Sequence, residues 1–440
     1  MRPTEQRFET SRRLDERAHG LIPGGGHTYA KGSDQFPEEM PVIIQRGSGC
    51  QVRDVDGNEF IEYGMGLRAV TLGHAFPPII EAARRAMAEG ANFTRPARIE
   101  VDCAERFLAI ISWAEMVKFC KDGSDALDGA VRLARAYTGR DRIAICADHP
   151  FFSTSDWFIG TTGMPRGIPQ ATRDNTVTFR YNDLASLETL FAQYPQAIAC
   201  VVMEAARTEE PGDGYLQGVQ ALCRRHGAVL VFDEMITGFR WHIGGAQRVY
   251  GVTPDLAAFG KALGNGFAIS ALAGRRELMQ LGGIRHSGER VFLLSTTHGA
   301  ETHALAAGMA VMDFYEKESV VERLYQQGRR LRLGIGERAS ALGLGQHVGV
   351  VSRDCNLLYF TKGADGKPSQ PLRTLWLQEL MRGGVLAPSF VVSYSHTDEI
   401  IDRTLDVIEA ALGVYRKGLD EGVEQLLRGR PVKPVFRPYA

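Results

Sequence analysis

Short apolar runs alternate with helical patterns through the middle of this sequence, and that alternation constrains the fold more than any other feature. Arg142–Cys146, Ala199–Met203 and Ala228–Phe232 are apolar almost throughout. Between such runs, Pro78–Glu89 and Ala126–Tyr137 show the apolar period of helices. Strands that are hydrophobic on both faces are typical of a parallel sheet covered by helices on both sides. The pattern therefore predicts a doubly wound α/β domain.

The two ends of the chain differ from this middle part. Before about residue 76, a charged helix, a Gly-rich turn and short strand-like pieces predict an N-terminal segment, residues 1–75. After about residue 305, a single long helix, Ala306–Tyr325, is expected to precede an α+β pattern. We therefore predict a large domain over residues 76–305, and a smaller α+β domain in which residues 1–75 join residues 306–440.

Composition and charge exclude several classes of protein. The chain has 440 residues, of which 44% are hydrophobic and 23% charged, with a formal net charge of −1. Such a chain is globular and has no overall field that attracts nucleic acid or an anionic membrane. No apolar run reaches the roughly 18 residues of a membrane span, and the N-terminus lacks the apolar stretch of a secretory signal. We expect a cytoplasmic protein with neither nucleic acid nor membrane as a partner.

Cysteine and histidine spacing predicts no metal site. The seven cysteines are odd in number and include no C-x-x-C pair, which argues against a disulfide framework and a zinc ribbon. His298 and His303 are five positions apart, whereas two ligands on one helix face of a zinc protease are four apart. Structural roles are the better interpretation of both histidines.

A carboxylate and a lysine mark the ends of successive apolar segments. The run Ala228–Phe232 is followed by Asp233, and ligands of parallel sheets lie beyond the carboxyl ends of the strands. Asp233 is therefore either solvated at a strand end or directed at a ligand. Lys261 follows another apolar segment and lies in a loop with Gly260 and Gly264. A glycine allows the backbone to approach a ligand closely, and a lysine there can bind a carbonyl compound covalently.

A helix start supplies a third signal. Gly123, Ser124 and Asp125 directly precede the helical run Ala126–Tyr137. Ser and Asp are ordinary N-caps, but free backbone N–H groups at a helix start also suit a phosphate. A phosphate cradle, a strand-end carboxylate and a loop lysine together make up the apparatus of a pyridoxal 5′-phosphate (PLP) site.

Longer motifs resemble a known family. Phe232–Arg240, with Pro254–Asp255 and Phe259–Lys261, looks like the signature of class III, fold type I, PLP-dependent aminotransferases. Leu72–Ala75 and Leu386–Ser389 also fit, and the resemblance covers roughly residues 12 to 412. It is nearest to the branch of glutamate-1-semialdehyde 2,1-aminomutase. The family implies a fold type I PLP-transferase and an enzyme that acts on a small-molecule amino donor and a carbonyl acceptor.

The resemblance implies roles for the residues already singled out. Lys261 would bind PLP as a Schiff base and, once freed, move a proton between the substrate carbon and C4′ of the cofactor. Asp233 would keep the pyridine nitrogen protonated. Gly123, Ser124 and Asp125 would bind the phosphate. No metal is implied.

Four further residues are assigned to the cofactor by the same resemblance. Phe151 would stack on the ring, although the family's following His-Gly is replaced by Phe152-Ser153. Met235 takes the place of a valine behind the ring, and Glu204 would lie near the phenolic oxygen. Thr297 matches a threonine that reaches the phosphate of the neighbouring subunit, which implies a homodimer with shared active sites.

Departures from the family concern the substrate. The aminomutase branch has Ser-Pro-Val-Arg after its first Pro-Gly-Gly, whereas this chain has Gly26–Gly32 without an arginine. Candidate substrate residues are His27, Tyr29, Arg68 and Arg95, and for each arginine an ordinary surface or ion-pair role is the alternative. The polar entrance and the basic tail suggest a keto-sugar or nucleotide-linked sugar.

The leading hypothesis is an aminotransferase, and the alternative is intramolecular amino transfer of the glutamate-1-semialdehyde 2,1-aminomutase type. Both reactions use Lys261 and Asp233, so these residues do not separate them. A PLP-binding protein without turnover, and a decarboxylase or epimerase on the same scaffold, are further alternatives.

Overall fold

The structure of the protein is a computed structural model that describes residues 7–148, 153–435 and 437. The chain divides into two compact units, one formed by the chain up to Phe76 and from Glu322 onward, the other by Pro77–Val321. The helices are α1 (Glu9–Leu21), α2 (Met65–Arg68), α3 (Pro77–Glu89), α4 (Arg98–Ile110), α5 (Gly123–Thr138), α6 (Asp156–Ile159), α7 (Gln170–Asp174), α8 (Leu184–Gln193), α9 (Tyr215–His226), α10 (Ala246–Tyr250), α11 (Arg276–Met279), α12 (Thr302–Lys317), α13 (Val320–Ala341), α14 (Gln370–Arg382) and α15 (Asp398–Glu421). The strands are β1 (Ile44–Ser48), β2 (Gln51–Asp54), β3 (Glu59–Glu62), β4 (Met116–Cys120), β5 (Arg142–Cys146), β6 (Thr176–Phe179), β7 (Ile198–Met203), β8 (Val229–Asp233), β9 (Leu256–Phe259), β10 (Ser270–Gly274), β11 (Val348–Val351), β12 (Leu358–Thr361) and β13 (Val385–Leu386).

A seven-stranded sheet forms the centre of the unit Pro77–Val321, in the order β4-β10-β9-β8-β7-β5-β6. Neighbouring strands from β9 to β6 run parallel, and β10 is antiparallel to both of its neighbours. Every residue of β7 and β8 is buried, as strands covered on both faces require. The helix α5 packs against β7, β8, β9 and β10. The predicted doubly wound, mostly parallel α/β fold is confirmed.

The helix α12 belongs to this unit. The sequence predicted one helix over Ala306–Tyr325, and that prediction was wrong, because the chain leaves the helix at Glu318 with extended backbone angles before α13 begins. Both helices are amphipathic, so the apolar period continues across the break and hides it. The helix α12 packs against α3 and α4. The compact unit therefore extends to Val321, whereas the predicted large domain ends at residue 305.

The other unit joins the two ends of the chain through a four-stranded sheet. The strands β1, β2 and β3 are antiparallel, and β13 adds to β3 in parallel, with Val385 opposite Ile61. The strands β11 and β12 form a separate antiparallel pair. Because β3 and β13 come from opposite ends of the sequence, their pairing builds one domain from both ends. This confirms the predicted smaller α+β domain.

Candidate active site

A buried carboxylate and a lysine lie at the carboxyl ends of adjacent parallel strands. Asp233 is the last residue of β8, pairs with Ala258 of β9 and is 4% exposed. Lys261 comes directly after Gly260 at the end of β9. The two side chains are close enough that the charge of Lys261 lowers the pKa of Asp233. The pair therefore occupies the edge of the sheet at which open α/β folds bind ligands.

Opposing effects act on the Asp233 carboxyl group. Burial raises its pKa above the ordinary value for aspartate. The charge of Lys261, a hydrogen bond of 2.9 Å from the backbone N–H of Met235 and the charge of Arg207 all lower it. The net pKa is raised, because the effect of burial exceeds that of the two cations and the hydrogen bond.

The backbone at Lys261 is strained. Lys261 has φ of 44° and begins a short 3₁₀ turn, Lys261–Gly264. Residues other than glycine rarely adopt left-handed angles, and such strain persists where the surrounding packing enforces it. The helix α12 supplies that packing, and a Cβ added to Gly308 would lie 3.6 Å from the carbonyl oxygen of Leu263. The lysine is therefore held in one conformation by the scaffold.

Met235 joins the lysine loop to the start of α5. A Cβ placed on Gly123 would lie 3.0 Å from the Cε of Met235, and one placed on Gly260 would overlap the same carbon. A side chain at either glycine would thus fill the space beside the methionine. The structure therefore brings together Gly123, Met235 and the loop of Lys261 in a cradle that only small residues leave open.

The helix start differs in detail from the expectation that Ser124 or Asp125 is the N-cap. Asp122 is the N-cap of α5, and its side chain accepts a hydrogen bond of 3.0 Å from the backbone N–H of Asp125. Gly123, Ser124 and Asp125 are the first three helical residues. Burial and the charge of Asp122 raise the pKa of Asp125. A phosphate at this helix start would therefore meet backbone N–H groups and the Ser124 hydroxyl, but also two carboxylates.

A second buried carboxylate and an arginine lie beside Asp233. Glu204 follows β7 and is 3% exposed. The Nη1 of Arg207 lies 3.5 Å from Oε1 of Glu204. Arg207 also lines a cavity of about 210 Å³. Arg207 was not predicted from the sequence, although its place three residues after a strand-end carboxylate was a signal that could have found it.

Known families and structures account for this arrangement. The family described as aminotransferase class-III matches residues 30–348. The chain belongs to the class-III aminotransferase family. It is 32% identical over 431 residues to a glutamate-1-semialdehyde 2,1-aminomutase of Anaeromyxobacter sp. (strain Fw109-5), a match that covers 93% of this chain and 99% of the relative.

Solved structures of other proteins share the fold. The FumI protein of Sphingopyxis sp. MTA144, in its PLP internal aldimine form, has a TM-score of 0.85 at 26% identity, over 93% of this chain and 97% of that protein. An omega-transaminase from Sphaerobacter thermophilus has a TM-score of 0.84 at 27% identity, over 92% and 98%. This class-III protein is an enzyme, and its cofactor is PLP.

The residues at the strand ends fit that cofactor. Asp233 offers a carboxylate for a ring nitrogen, Lys261 an amine for an aldehyde carbon, and the glycine-lined cradle leaves room beside Met235. Within the described ranges, no group of three or more His, Cys, Asp or Glu could hold a metal ion, and no helix is long and apolar enough to cross a membrane.

For three predicted site residues, the described residues show no contact with this cradle. Thr297 is exposed, and its carbonyl oxygen accepts a hydrogen bond of 2.9 Å from Asn92 Nδ2. Arg95 is also exposed. Phe151 lies outside the described residues. The roles of all three stay predictions.

The remaining predicted substrate residues lie in the unit built from both chain ends. His27 and Tyr29 are exposed. Arg68 ends α2, a turn in which Met65, Leu67 and Arg68 all have positive φ, between 41° and 72°. Consecutive left-handed residues cost about 1–2 kcal/mol each. The Nε of Arg68 donates a hydrogen bond of 3.0 Å to Oδ1 of Asn356, a residue that is 1% exposed.

The basic tail is paired with acidic residues of its own unit. Arg428 lies 3.3 Å from Glu39, Arg430 lies 3.6 Å from Glu38, and Arg437 forms an ion pair with Asp34. The backbone N–H of Lys433 also donates to the carbonyl oxygen of Asp34 at 3.0 Å. These arginines therefore fasten the end of the chain, which removes the tail as an argument for an anionic or sugar-like substrate.

Proposed function

We propose that the protein is a PLP-dependent aminotransferase that moves an amino group between an amino donor and a carbonyl substrate, with Lys261 as the residue that holds the cofactor. The observation that carries the proposal is the facing pair of Lys261 and the buried Asp233 at adjacent strand ends. Class-III relatives support it over most of the chain.

Each residue of the pair has a definite task. When bound, PLP supplies an electron sink for bond cleavage at the substrate carbon. The Asp233 carboxylate holds a proton on the pyridine nitrogen. The amine of Lys261 would hold the cofactor through its aldehyde carbon and would be the group that moves a proton at the substrate carbon. Gly123 and Ser124 would hold the phosphate at the start of α5, Met235 would pack against the ring, and Glu204 would be the carboxylate nearest its phenolic oxygen.

Borohydride reduction tests the role of Lys261. Reduction of the loaded enzyme should leave a mass increase of one cofactor on the peptide that contains Lys261, and Lys261→Ala should carry none. Lys118→Ala is a matched control, because Lys118 is an exposed lysine on β4 of the same unit. An adduct on another lysine in the wild-type protein would disprove the assignment.

Intramolecular amino transfer is the second candidate function. The 32% identity to a glutamate-1-semialdehyde 2,1-aminomutase favours it. An aminotransferase releases a keto product when a second amino acceptor is supplied, whereas an aminomutase returns the amino group to the same substrate. Chromatographic detection of the released keto product with a panel of amino donors separates the two reactions.

The substrate proposal is a keto-sugar or nucleotide-linked sugar, with His27 and Tyr29 as candidate substrate residues. The exposed side chains of His27 and Tyr29 support a sugar substrate, whereas the basic tail does not, because its arginines are paired with acidic residues. Arg68 and Arg95 are the residues proposed to bind an acidic group. Transamination that is equally fast on simple keto-acids such as pyruvate, and absent on keto-sugars, would rule out a sugar substrate.

A cytoplasmic homodimer with shared active sites completes the proposal. Ile284 and Phe292 expose 83% and 76% of their surface in the segment that leads to Thr297, as expected of side chains covered by a second copy. All seven cysteines are free and buried, which suits a reducing compartment. Sedimentation velocity should give a dimer, and Phe292→Asp should shift it toward the monomer. A wild-type monomer would contradict the shared site.

A further inference from the structure

Arg207 stands between a cavity and the buried carboxylates of the active site. Its side chain is 24% exposed, and that of its partner Glu204 is 3% exposed, with 3.5 Å between Nη1 and Oε1. An ion pair with one partner so deeply buried is screened far less than a surface pair. The charge of Arg207 therefore reaches groups beyond Glu204.

Strand pairing brings Glu204 to Asp233. Met203, the last residue of β7, lies opposite Phe232 of β8. The residue after Met203 is Glu204, and the residue after Phe232 is Asp233. Two buried carboxyl groups therefore adjoin each other at the ends of neighbouring strands. Two carboxylates in such a position favour protonation of one of them unless cations are near. Among the described residues, Lys261 and Arg207 have charges that act on Asp233.

We propose that Arg207 is a positioning residue that keeps Asp233 ionised when Lys261 is bound to the cofactor. The inference rests on the proposed function, in which Asp233 holds a proton on the pyridine nitrogen. Lys261 is not a permanent counter-ion, because a lysine joined to an aldehyde carbon no longer carries a free ammonium group. A guanidinium group stays charged at every pH at which proteins fold. Arg207 therefore supplies a positive charge of the protein that does not change when Lys261 binds the cofactor.

The charged groups around Asp233 determine whether loss of Arg207 raises or lowers the pKa of Asp233. Lys261 and Arg207 lower its pKa, whereas burial raises it. Two further carboxyl groups adjoin this position: Glu204 directly follows β7, and Glu234 directly follows Asp233. The carboxyl group of Glu234 already has partners, because it accepts hydrogen bonds of 2.8 and 2.9 Å from backbone N–H groups of α10. Loss of Arg207 therefore raises the pKa of Asp233, so that the carboxylate becomes protonated at a higher pH.

Arg180 offers a matched control. It lines the same cavity as Arg207, but its side chain is 69% exposed and pairs with Asp148 at 3.2 Å. Arg180→Gln removes the same charge from the same cavity without removing a cation that acts on Asp233. Arg207→Lys is the conservative variant, because it retains the charge.

The experiment measures the dissociation constant of PLP by equilibrium dialysis, and kcat/KM, from pH 5 to 9. In Arg207→Gln the acid limb of both profiles should move up by about one pH unit. Arg207→Lys should restore most of the wild-type limb, and Arg180→Gln should leave it in place. An unmoved limb in Arg207→Gln, or an equal shift in Arg180→Gln, would overturn the inference. So would a higher KM without any change in either pH profile, because Arg207 would then act on the substrate.

Two further variants keep the test decisive. If Arg207→Gln fails to fold, Glu204→Gln removes the like charge beside Asp233 and should move the acid limb to lower pH; a limb that stays or rises contradicts the inference. Asp233→Asn distinguishes a failure of the role proposed for Asp233 from a failure of the role proposed for Arg207. If it binds and uses PLP like the wild type, the proposed role of Asp233 fails. If it does not, and Arg207→Gln shows an unmoved limb, only the role of Arg207 fails.

Discussion

Two groups of charged residues in this protein differ in burial. The sheet-edge group, at the ends of β7, β8 and β9, contains Glu204, Arg207, Asp233 and Lys261. The tail group ties the end of the chain to an acidic segment and contains Asp34, Glu38, Arg430 and Arg437. In the first group Asp233 and Glu204 are 4% and 3% exposed. In the second the paired side chains are between 27% and 50% exposed.

Burial explains why the two groups have different uses. A charge removed from water costs free energy unless a partner or a ligand compensates it, so its pKa responds strongly to each neighbour. A pair in contact with water is screened and contributes little. The sheet-edge group is therefore suited to hold and move protons. The tail group is suited only to fix the course of the chain.

The largest expected difference between the groups follows from Asp233→Asn. An amide has nearly the shape of a carboxylate but carries no negative charge to place beside a ring nitrogen. We expect kcat/KM to fall by about 10²–10³-fold, as when one electrostatic partner of a reacting group is lost. Asp34→Asn, the same change in the tail group, should leave kcat/KM within about twofold. Similar losses in both variants would show that burial does not separate the groups.

A smaller but clear effect is expected from Gly260→Ala. The new Cβ would overlap Met235 and lie 2.5 Å from Ser270 Oγ, so the loop of Lys261 must shift. Overpacking of this kind costs about 1–3 kcal/mol in the free energy of unfolding. Gly163→Ala is the control, since a Cβ there meets nothing within 4 Å. Urea denaturation measures both, and equal stability of the two variants would contradict the close packing at the sheet edge.

The charge at the start of α5 should tune cofactor affinity more modestly. Asp122→Asn keeps an N-cap but removes a carboxylate from the helix end that binds the phosphate. The dissociation constant of PLP should fall by about two- to fivefold, from the usual worth of one charge at a helix end. Asp183→Asn is the matched control, because Asp183 caps α8 with the same 3.0 Å hydrogen bond. A tighter complex in both variants, measured by fluorescence titration, would argue against a local effect.

The smallest effect is expected in the tail group. Arg437→Gln should lower the free energy of unfolding by about 0.2–1 kcal/mol at neutral pH. Burial raises the pKa of Asp34, but hydrogen bonds from Gln35 and Arg437 outweigh it, so the pKa lies below the ordinary 3.8. A lowered carboxyl pKa stabilises the folded state above the unfolded pKa, and this contribution is lost as the pH falls through the folded pKa.

The wild type and Arg437→Gln should therefore begin to converge in stability near the ordinary aspartate pKa of 3.8 and coincide below the lowered folded-state pKa of Asp34. Urea denaturation at a series of pH values checks this, with Arg416→Gln as a control in an exposed i,i+4 pair with Asp420. A difference that persists in acid would show that Arg437 acts through packing rather than charge.

Strands were predicted best where their apolar character is uniform. Arg142–Cys146 was found with the predicted bounds, β7 begins one residue before the predicted Ala199–Met203, and β8 lies one residue later than the predicted Ala228–Phe232. The break between α12 and α13 was not predicted, because two amphipathic helices in line share one apolar period. The sequence also left the N-cap of α5 open, because Asp122, Ser124 and Asp125 lie within four residues and only backbone geometry selects one of them.

The apolar pattern of the sequence was enough to predict the fold class, and its resemblance to class III aminotransferases implied the cofactor and the residues proposed to bind it. Those features depend on local chemistry and order along the chain: apolar strands, a carboxylate after one strand and a lysine after the next. The contact of Met235 with Gly123, the charge of Arg207 beside Glu204 and Asp233, and the pairing of the basic tail arise only from tertiary structure. They join residues that are distant or unremarkable in sequence, and burial, which only folding creates, gives their charges strength.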